Sequence, residues 1–165
     1  MTAEEKISLF CTKIIKSGAD VKSVTNPEEL HVAISELIQG ADSVYCPGIS
    51  DLEKTITIDP DIRKADYAEA KTTIEEVKAG IAETGTIVCV SSPGKALQAS
   101  VVAYHHIAIV SRENIFADLD EFFSRVTDPL PTNITFVTGP SRTGDIEQTL
   151  SIGVHGPGRV DIIIC

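Results

Sequence analysis

A run of small, hydroxyl-bearing and charged residues, Thr138-Gly-Pro-Ser-Arg-Thr-Gly-Asp145, stands between an apolar stretch ending at Val137 and a segment patterned as a helix over 143–150. A turn of this kind at the carboxyl end of a strand is where open α/β sheets hold ligands. Gly139 lets the backbone approach a bound group, and the free N–H groups at the start of a helix favour an anion. Thr138, Ser141 and Thr143 add hydroxyls, and Arg142 can grip a carboxylate or phosphate through two parallel hydrogen bonds. The glycine spacing imitates a nucleotide-binding phosphate loop. However, Asp145 and Ile146 occupy the positions that need Lys and Ser/Thr, which argues against a nucleotide triphosphatase. The plain structural alternative is a strand-to-helix turn with Thr143 as N-cap and with Asp145 and Glu147 complementing the helix dipole.

Two further segments offer reactive groups. Gly153-Val-His155-Gly156-Pro157 holds a histidine between glycines, suited to proton transfer or anion contact near neutral pH, or simply to a tight surface turn. Glu83-Thr84-Gly85-Thr86 places a carboxylate at the mouth of a strand, where it can serve as general base or nucleophile, or only face water. Glu83 and His155 are the candidate catalytic pair. Thr84, Gly85, Thr138, Gly139, Ser141, Arg142, Thr143, Asp145, Glu147, Gly153 and Gly156 are the candidate ligand-binding positions. His105 and His106 open a strand, point to opposite faces and cannot chelate one metal together, so both read as structural. Cys11, Cys46, Cys89 and Cys165 show no C-x-x-C or Cys/His pairing. This argues against a sequence-adjacent zinc site, an iron–sulfur cluster or a disulfide framework, and no cofactor or metal is expected.

The elements that must position these residues alternate. Helices are expected over 3–17, stopped by Gly18, and from the Asn26 cap and Pro27 to about Gln39. A short strand follows at 43–46, then a weakly periodic stretch to about Asp66. Residues 67–82 suit both periods, and a helix giving way to a strand near Lys78 is favoured. Strands follow at 86–90, 106–110, 133–137 and 160–164. A helix is expected from Ser111 through Arg125, with Ile115, Leu119, Phe122 and Phe123 facing inward. Near-continuously apolar strands alternating with helices predict an α/β fold with a mostly parallel sheet covered on both faces.

With 165 residues, 42% hydrophobic and 23% charged, the chain is ordinary globular material for a single domain over 1–165. No apolar stretch reaches the ~18 residues of a membrane span, and the charged start lacks a secretory signal, so a cytoplasmic location away from membranes is expected. A net charge of -10 with no basic cluster argues against nucleic acid as a partner. A homodimer is the base-rate expectation.

Residues 79–88, 106–110 and 136–147, followed by 153–157, resemble the LUD-domain family of lactate-utilisation protein C type. The pair Gly-Pro-Ser-Arg-Thr-x-Asp-Ile-Glu and Gly-Val-His-Gly-Pro carries the likeness. The resemblance implies a three-layer α/β/α sandwich like that of the ribose-5-phosphate isomerase and coenzyme A transferase superfamily. It also implies a part in oxidising L-lactate to pyruvate beside iron–sulfur oxidoreductase subunits. Lacking a cysteine cluster, this chain would be the cluster-free component, binding a small anionic metabolite. Oxidation needs an electron acceptor that these residues do not supply. The alternative is an independent isomerase- or acyl/CoA-transferase-like enzyme acting on a phosphate- or CoA-bearing substrate, with Glu83 as base or nucleophile. The sequence leaves open whether the chain is an enzyme at all.

Overall fold

In the computed structural model the described residues are 1–95, 98–126, 131–143, 151–152 and 156–165. Helix α1 (Ala3–Ser17) begins at Thr2, whose side chain and that of Glu5 cap each other's backbone, and it ends on the left-handed Gly18. Strand β1 (Asp20–Ser23) follows, then α2 (Pro27–Leu37) capped by Asn26, β2 (Val44–Tyr45), and the short α3 (Asp51–Thr55) capped by Ser50. Next come β3 (Thr72–Glu76), β4 (Ala79–Ile81), β5 (Thr86–Val90), α4 (Ala99–Val102), β6 (His105–Val110) and β7 (Ile115–Phe116). The chain continues through α5 (Leu119–Arg125), β8 (Ile134–Val137), β9 (Arg142–Thr143), β10 (Ser151–Ile152) and β11 (Arg159–Ile164).

Five strands form the principal sheet in the order β1-β11-β6-β3-β2, with every neighbouring pair parallel. Its alternation sorts the core. Ile107, Ile109 and Ile163 point to one face, against Leu30, Ala33 and Ile34 of α2. Ala108, Val110, Ile162 and Ile164 point to the other, against Ile7, Phe10 and Ile14 of α1. The expected α/β architecture with a mostly parallel sheet is therefore present. The layer on the α1 side also contains a second, mixed sheet in the order β7-β4-β5-β8. Its strand β5 turns Ile87 and Cys89 inward to the main core and Val88 outward to Phe122 of α5. On β4, Gly80 faces the Phe10 ring so closely that a Cβ there would lie 2.6 Å from Phe10 Cζ, so α1 packs directly on that strand. Among the described residues, no helix is long and apolar enough to cross a membrane.

Three local expectations are corrected. Residues 72–81 contain no helix but two strands, β3 and β4, which belong to different sheets. The helix expected to open at Ser111 is instead a 3-10 turn at Arg112–Asn114, then β7 pairing with β4, and only then α5 behind its Asp118 cap. Of the side chains expected to face inward, Ile115 and Phe122 are buried, whereas Leu119 and Phe123 are 42% and 48% exposed. Thr143, where the helix over 143–150 is expected to open, lies in β9, opposite Ser151 of β10. The rest of the helix expected over 143–150 lies outside the described residues.

Candidate functional site

The segments singled out in the sequence converge, but at the edge where the parallel strands begin. Gly85 and Gly139 both have left-handed backbones, with φ of 69° each. Both press on the last turn of α1. A Cβ at Gly85 would sit 2.7 Å from the Ile14 nitrogen, and one at Gly139 2.6 Å from the Ser17 carbonyl oxygen. Hydroxyls link the two loops in a chain, Thr84 Oγ1 to Thr86 Oγ1 at 2.6 Å and Thr86 Oγ1 to Thr138 Oγ1 at 2.7 Å. Arg142 donates to the Ser17 carbonyl at 2.8 Å, setting a cation on the electronegative end of α1. Ser141 donates its N–H to Pro157, and a Cβ on Gly156 would touch the Ser141 side chain. Glu83 is exposed and gives its N–H to Ala117. Asp145, Glu147, Gly153 and His155 lie outside the described residues. The glycines that could admit a ligand are thus used, in the described part, to admit a helix.

A buried polar assembly that no sequence motif marks crosses the face of the main sheet, from His106 near the start of β6 to Glu75 and Glu53 toward the end of β3. Glu75 on β3 and His106 on β6 are fully buried on the face turned toward the mixed sheet, and Cys89 of β5 reaches them from across the layer. The His106 Nε2 lies 2.9 Å from Glu75 Oε1, and the Lys95 ammonium lies 2.9 Å from Glu75 Oε2. Ser100, at the start of α4, donates to Glu75 Oε1. Glu53 of α3 is also buried. It accepts N–H groups from Ile49, Ser50 and Glu76, stitching α3 to the end of β3, and its Oε1 is 3.6 Å from Lys95 Nζ. Lys95 completes its own shell by donating to the Glu76 carbonyl at 2.6 Å. Burial alone would push the Glu75 carboxyl up, but the His106 imidazole, Lys95 and Ser100 outweigh it and hold it at about 2. Burial pushes the Cys89 thiol well up. Both ring nitrogens of His106, together with Glu75 Oε2 and Thr73 Oγ1, are buried with no aligned hydrogen bond among the described residues. Glu75 Oε2 and His106 Nε2 keep their charged partners at 2.9 Å, whereas Thr73 Oγ1 and His106 Nδ1 have none among the described residues, and an orphaned atom ordinarily costs about 1–3 kcal/mol.

His105, on the other face of β6, makes a separate pair. Its Nε2 lies 2.6 Å from Asp161 Oδ2, which Arg159 Nε approaches to 2.7 Å. Burial raises the Asp161 carboxyl, but His105 and Arg159 outweigh it and keep it below the usual carboxylate range. The two adjacent histidines therefore serve opposite faces, as strand geometry requires.

Lys95 and Glu53 form the floor of a cavity of about 250 Å³ at the edge where the parallel strands end, beside Glu76 and Val77. It shares Lys78, Val90 and Asn114 with a larger one of about 640 Å³ that extends to Phe116, Phe122 and Arg125. The combined cleft lies at the carboxyl ends of the parallel strands, the position that ligands occupy in open α/β sheets. Lys78 and Arg125 bring positive charge to it and enter no salt bridge among the described residues. The arrangement offers two cations and an amide for an anion, with the acidic Glu113 and Glu76 also in its lining, above a buried carboxylate–imidazole–ammonium network.

The family model of the LUD domain matches residues 63–165. The chain belongs to the LUD domain family. The matched region of this LUD-domain chain carries Glu75, Cys89, Lys95, Ser100 and His106 as well as the loop at 138–142, while Glu53 and α1 precede it. Lactate utilization protein C of Bacillus licheniformis is 34% identical over 112 residues, covering 64% of this chain and 46% of that protein. The protein of the same name from Bacillus subtilis is 32% identical over 109 residues, covering 62% and 45%. The chain thus spans about half the length of the curated relatives it matches. A solved structure of a DUF162 family protein from Deinococcus radiodurans superposes with a TM-score of 0.72 at 23% identity, covering 99% of this chain and 98% of that one. The two chains share their fold over nearly their whole lengths.

Proposed function

We propose that this LUD-domain chain is a component of a lactate-utilisation system and that it binds a small organic anion in the cleft at the carboxyl ends of the parallel strands. The names of its relatives motivate the pathway. The placement of Lys78 and Arg125 beside Asn114, in a cleft walled by Val90, Phe116 and Phe122, carries the binding site. On a chain of net charge -10, an anion is received only where local cations override the overall field. The chain's residues supply binding and orientation. Any electron acceptor for lactate oxidation belongs to partner subunits, with iron–sulfur oxidoreductases as the proposed kind and a homodimer as the proposed assembly.

The test is a thermal-shift titration with lactate, pyruvate, sugar phosphates, coenzyme A and nucleotides. Saturation at a hundredfold excess over the dissociation constant adds about 2.7 kcal/mol of stability. One class of anion should raise the melting temperature, and Lys78→Ala combined with Arg125→Ala should abolish the rise while Arg142→Ala leaves it intact. A rise abolished only by Arg142→Ala overturns the cleft and places the anion at the 138–142 loop. That second reading is favoured by the exposed guanidinium of Arg142, which uses one nitrogen on Ser17. Under the transferase-like alternative, turnover of a CoA- or phosphate-bearing substrate would vanish in Glu83→Gln.

A further inference from the structure

We infer that Glu75, Cys89 and His106 form a binding site for a thiophilic divalent cation of the zinc class. The three residues come from three strands of two sheets, so no spacing in the chain announces them. Each offers one ligand atom, a carboxylate oxygen, a thiol sulfur and an imidazole nitrogen, and these atoms lie within 4.8 Å of one another. Zinc bonds of about 2.0–2.3 Å set tetrahedral ligands about 3.4–3.8 Å apart, so small side-chain rotations close the set. The donor types are those that zinc takes, and all three residues are buried.

A second observation points the same way. Both nitrogens of the fully buried His106 lack an aligned hydrogen bond, although Glu75 Oε1 is only 2.9 Å from Nε2. The Nδ1 of this fully buried imidazole has no partner among the described residues, and its Nε2 has only the carboxylate that belongs to the same donor set. Ser100 donates to Glu75 Oε1 and orients the carboxylate, as outer contacts of metal sites do. Charge also balances. A dication, the Cys89 thiolate, the carboxylates of Glu75 and Glu53, the Lys95 ammonium and a neutral His106 sum to zero. Binding replaces the thiol proton of Cys89, which leaves to solvent, and the bound cation reverses the upward push that burial gives that thiol. Lys95 is the competitor for Glu75. It keeps the Glu76 carbonyl and Glu53 as partners when the ion takes a share of that carboxylate.

The test uses the full chain stripped with chelator, and it does not depend on the anion cleft. Zinc is titrated by calorimetry and cobalt(II) by absorption. A single ion per chain should bind, with a thiolate-to-cobalt charge-transfer band and tetrahedral d–d bands, and affinity should fall as pH is lowered because protons compete for the ligands. Cys89→Ser should remove the charge-transfer band and weaken zinc binding by more than about a hundredfold, the upper range for loss of mere outer contacts. Cys11→Ser, Cys46→Ser and Cys165→Ser should leave both unchanged. The cobalt spectrum of the unsubstituted chain needs no variant to fold. No zinc uptake at micromolar concentrations, cobalt uptake without a thiolate band, or a band that survives Cys89→Ser would each overturn the site.

Discussion

Replacing Lys95 with Met is expected to remove about 3–5 kcal/mol of stability at neutral pH, the usual cost of leaving buried charge without its partner. The side chain is 10% exposed and lies against Glu75, at 0%, and Glu53, at 1%. Its aliphatic stem is replaced at similar volume, so the loss isolates the ammonium. The pH dependence distinguishes this account from simple loss of packing. In the unsubstituted chain Glu75 is held at about 2, so the stability it contributes is present above its ordinary value of 4.5 and is lost only as pH falls toward 2. Without Lys95 the folded-state carboxyl moves up, protonates earlier and sheds its penalty on acidification. The stability difference between the two proteins, measured by urea unfolding in chelator, should therefore narrow between pH 7 and pH 4. Adding Glu75→Gln to Lys95→Met should recover part of the loss, because contacting charges are not additive. A difference that stays constant with pH would mean that the network contributes by shape and not by charge.

Gly85→Ala is expected to cost about 2–5 kcal/mol, combining roughly 1–2 kcal/mol for a left-handed L-residue with 1–3 kcal/mol for overpacking. The methyl would meet the backbone of Lys13 and Ile14 at 2.7 Å, and a helix backbone cannot step aside without loosening the last turn of α1. Gly40→Ala is the matched control. Its φ of 77° imposes the same conformational strain, but a Cβ there meets nothing within 4 Å. The difference between the two substitutions measures the contact alone, read as the shift in denaturant midpoint at unchanged slope. Equal losses would show that the loop and helix part readily, and that this junction does not depend on close approach.

The two predictions fall on opposite edges of the main sheet, and the edges differ in how readable they are. At the edge where the strands begin, Thr138 to Arg142 and Glu83 to Thr86 are compact local motifs. Sequence reading located them and joined them to one another, and the hydroxyl chain through Thr86 brings the two loops into contact. What it could not read is that their glycines face α1, since a glycine's freedom is visible in a sequence but the object it approaches is not. Toward the edge where the strands end, and across the sheet face behind it, Glu53, Glu75, Lys95, Ser100 and His106 are separated by up to 53 positions and share no pattern. Glu75 gives no sign of burial in the sequence, because Lys and Glu are almost never fully buried unless paired. The one available signal was His106 next to His105: strand geometry forces one of the two inward, and a buried histidine needs a partner.

By itself the sequence determined the elements whose physics is local. These are α1 with its Gly18 stop, α2 behind Asn26 and Pro27, and the apolar strands at 86–90, 106–110 and 160–164, whose composition demands burial on both faces. Only the tertiary structure decided that β3 and β4, adjacent in the chain, part into two sheets. It alone decided that Thr143 pairs in a strand, and that a lysine, two glutamates, a serine, a cysteine and a histidine meet inside the layer between those sheets. The reason is that capping and periodicity are settled over a turn or two of chain, whereas pairing of strands and neutralisation of buried charge are settled among residues that become neighbours only when the chain closes on itself.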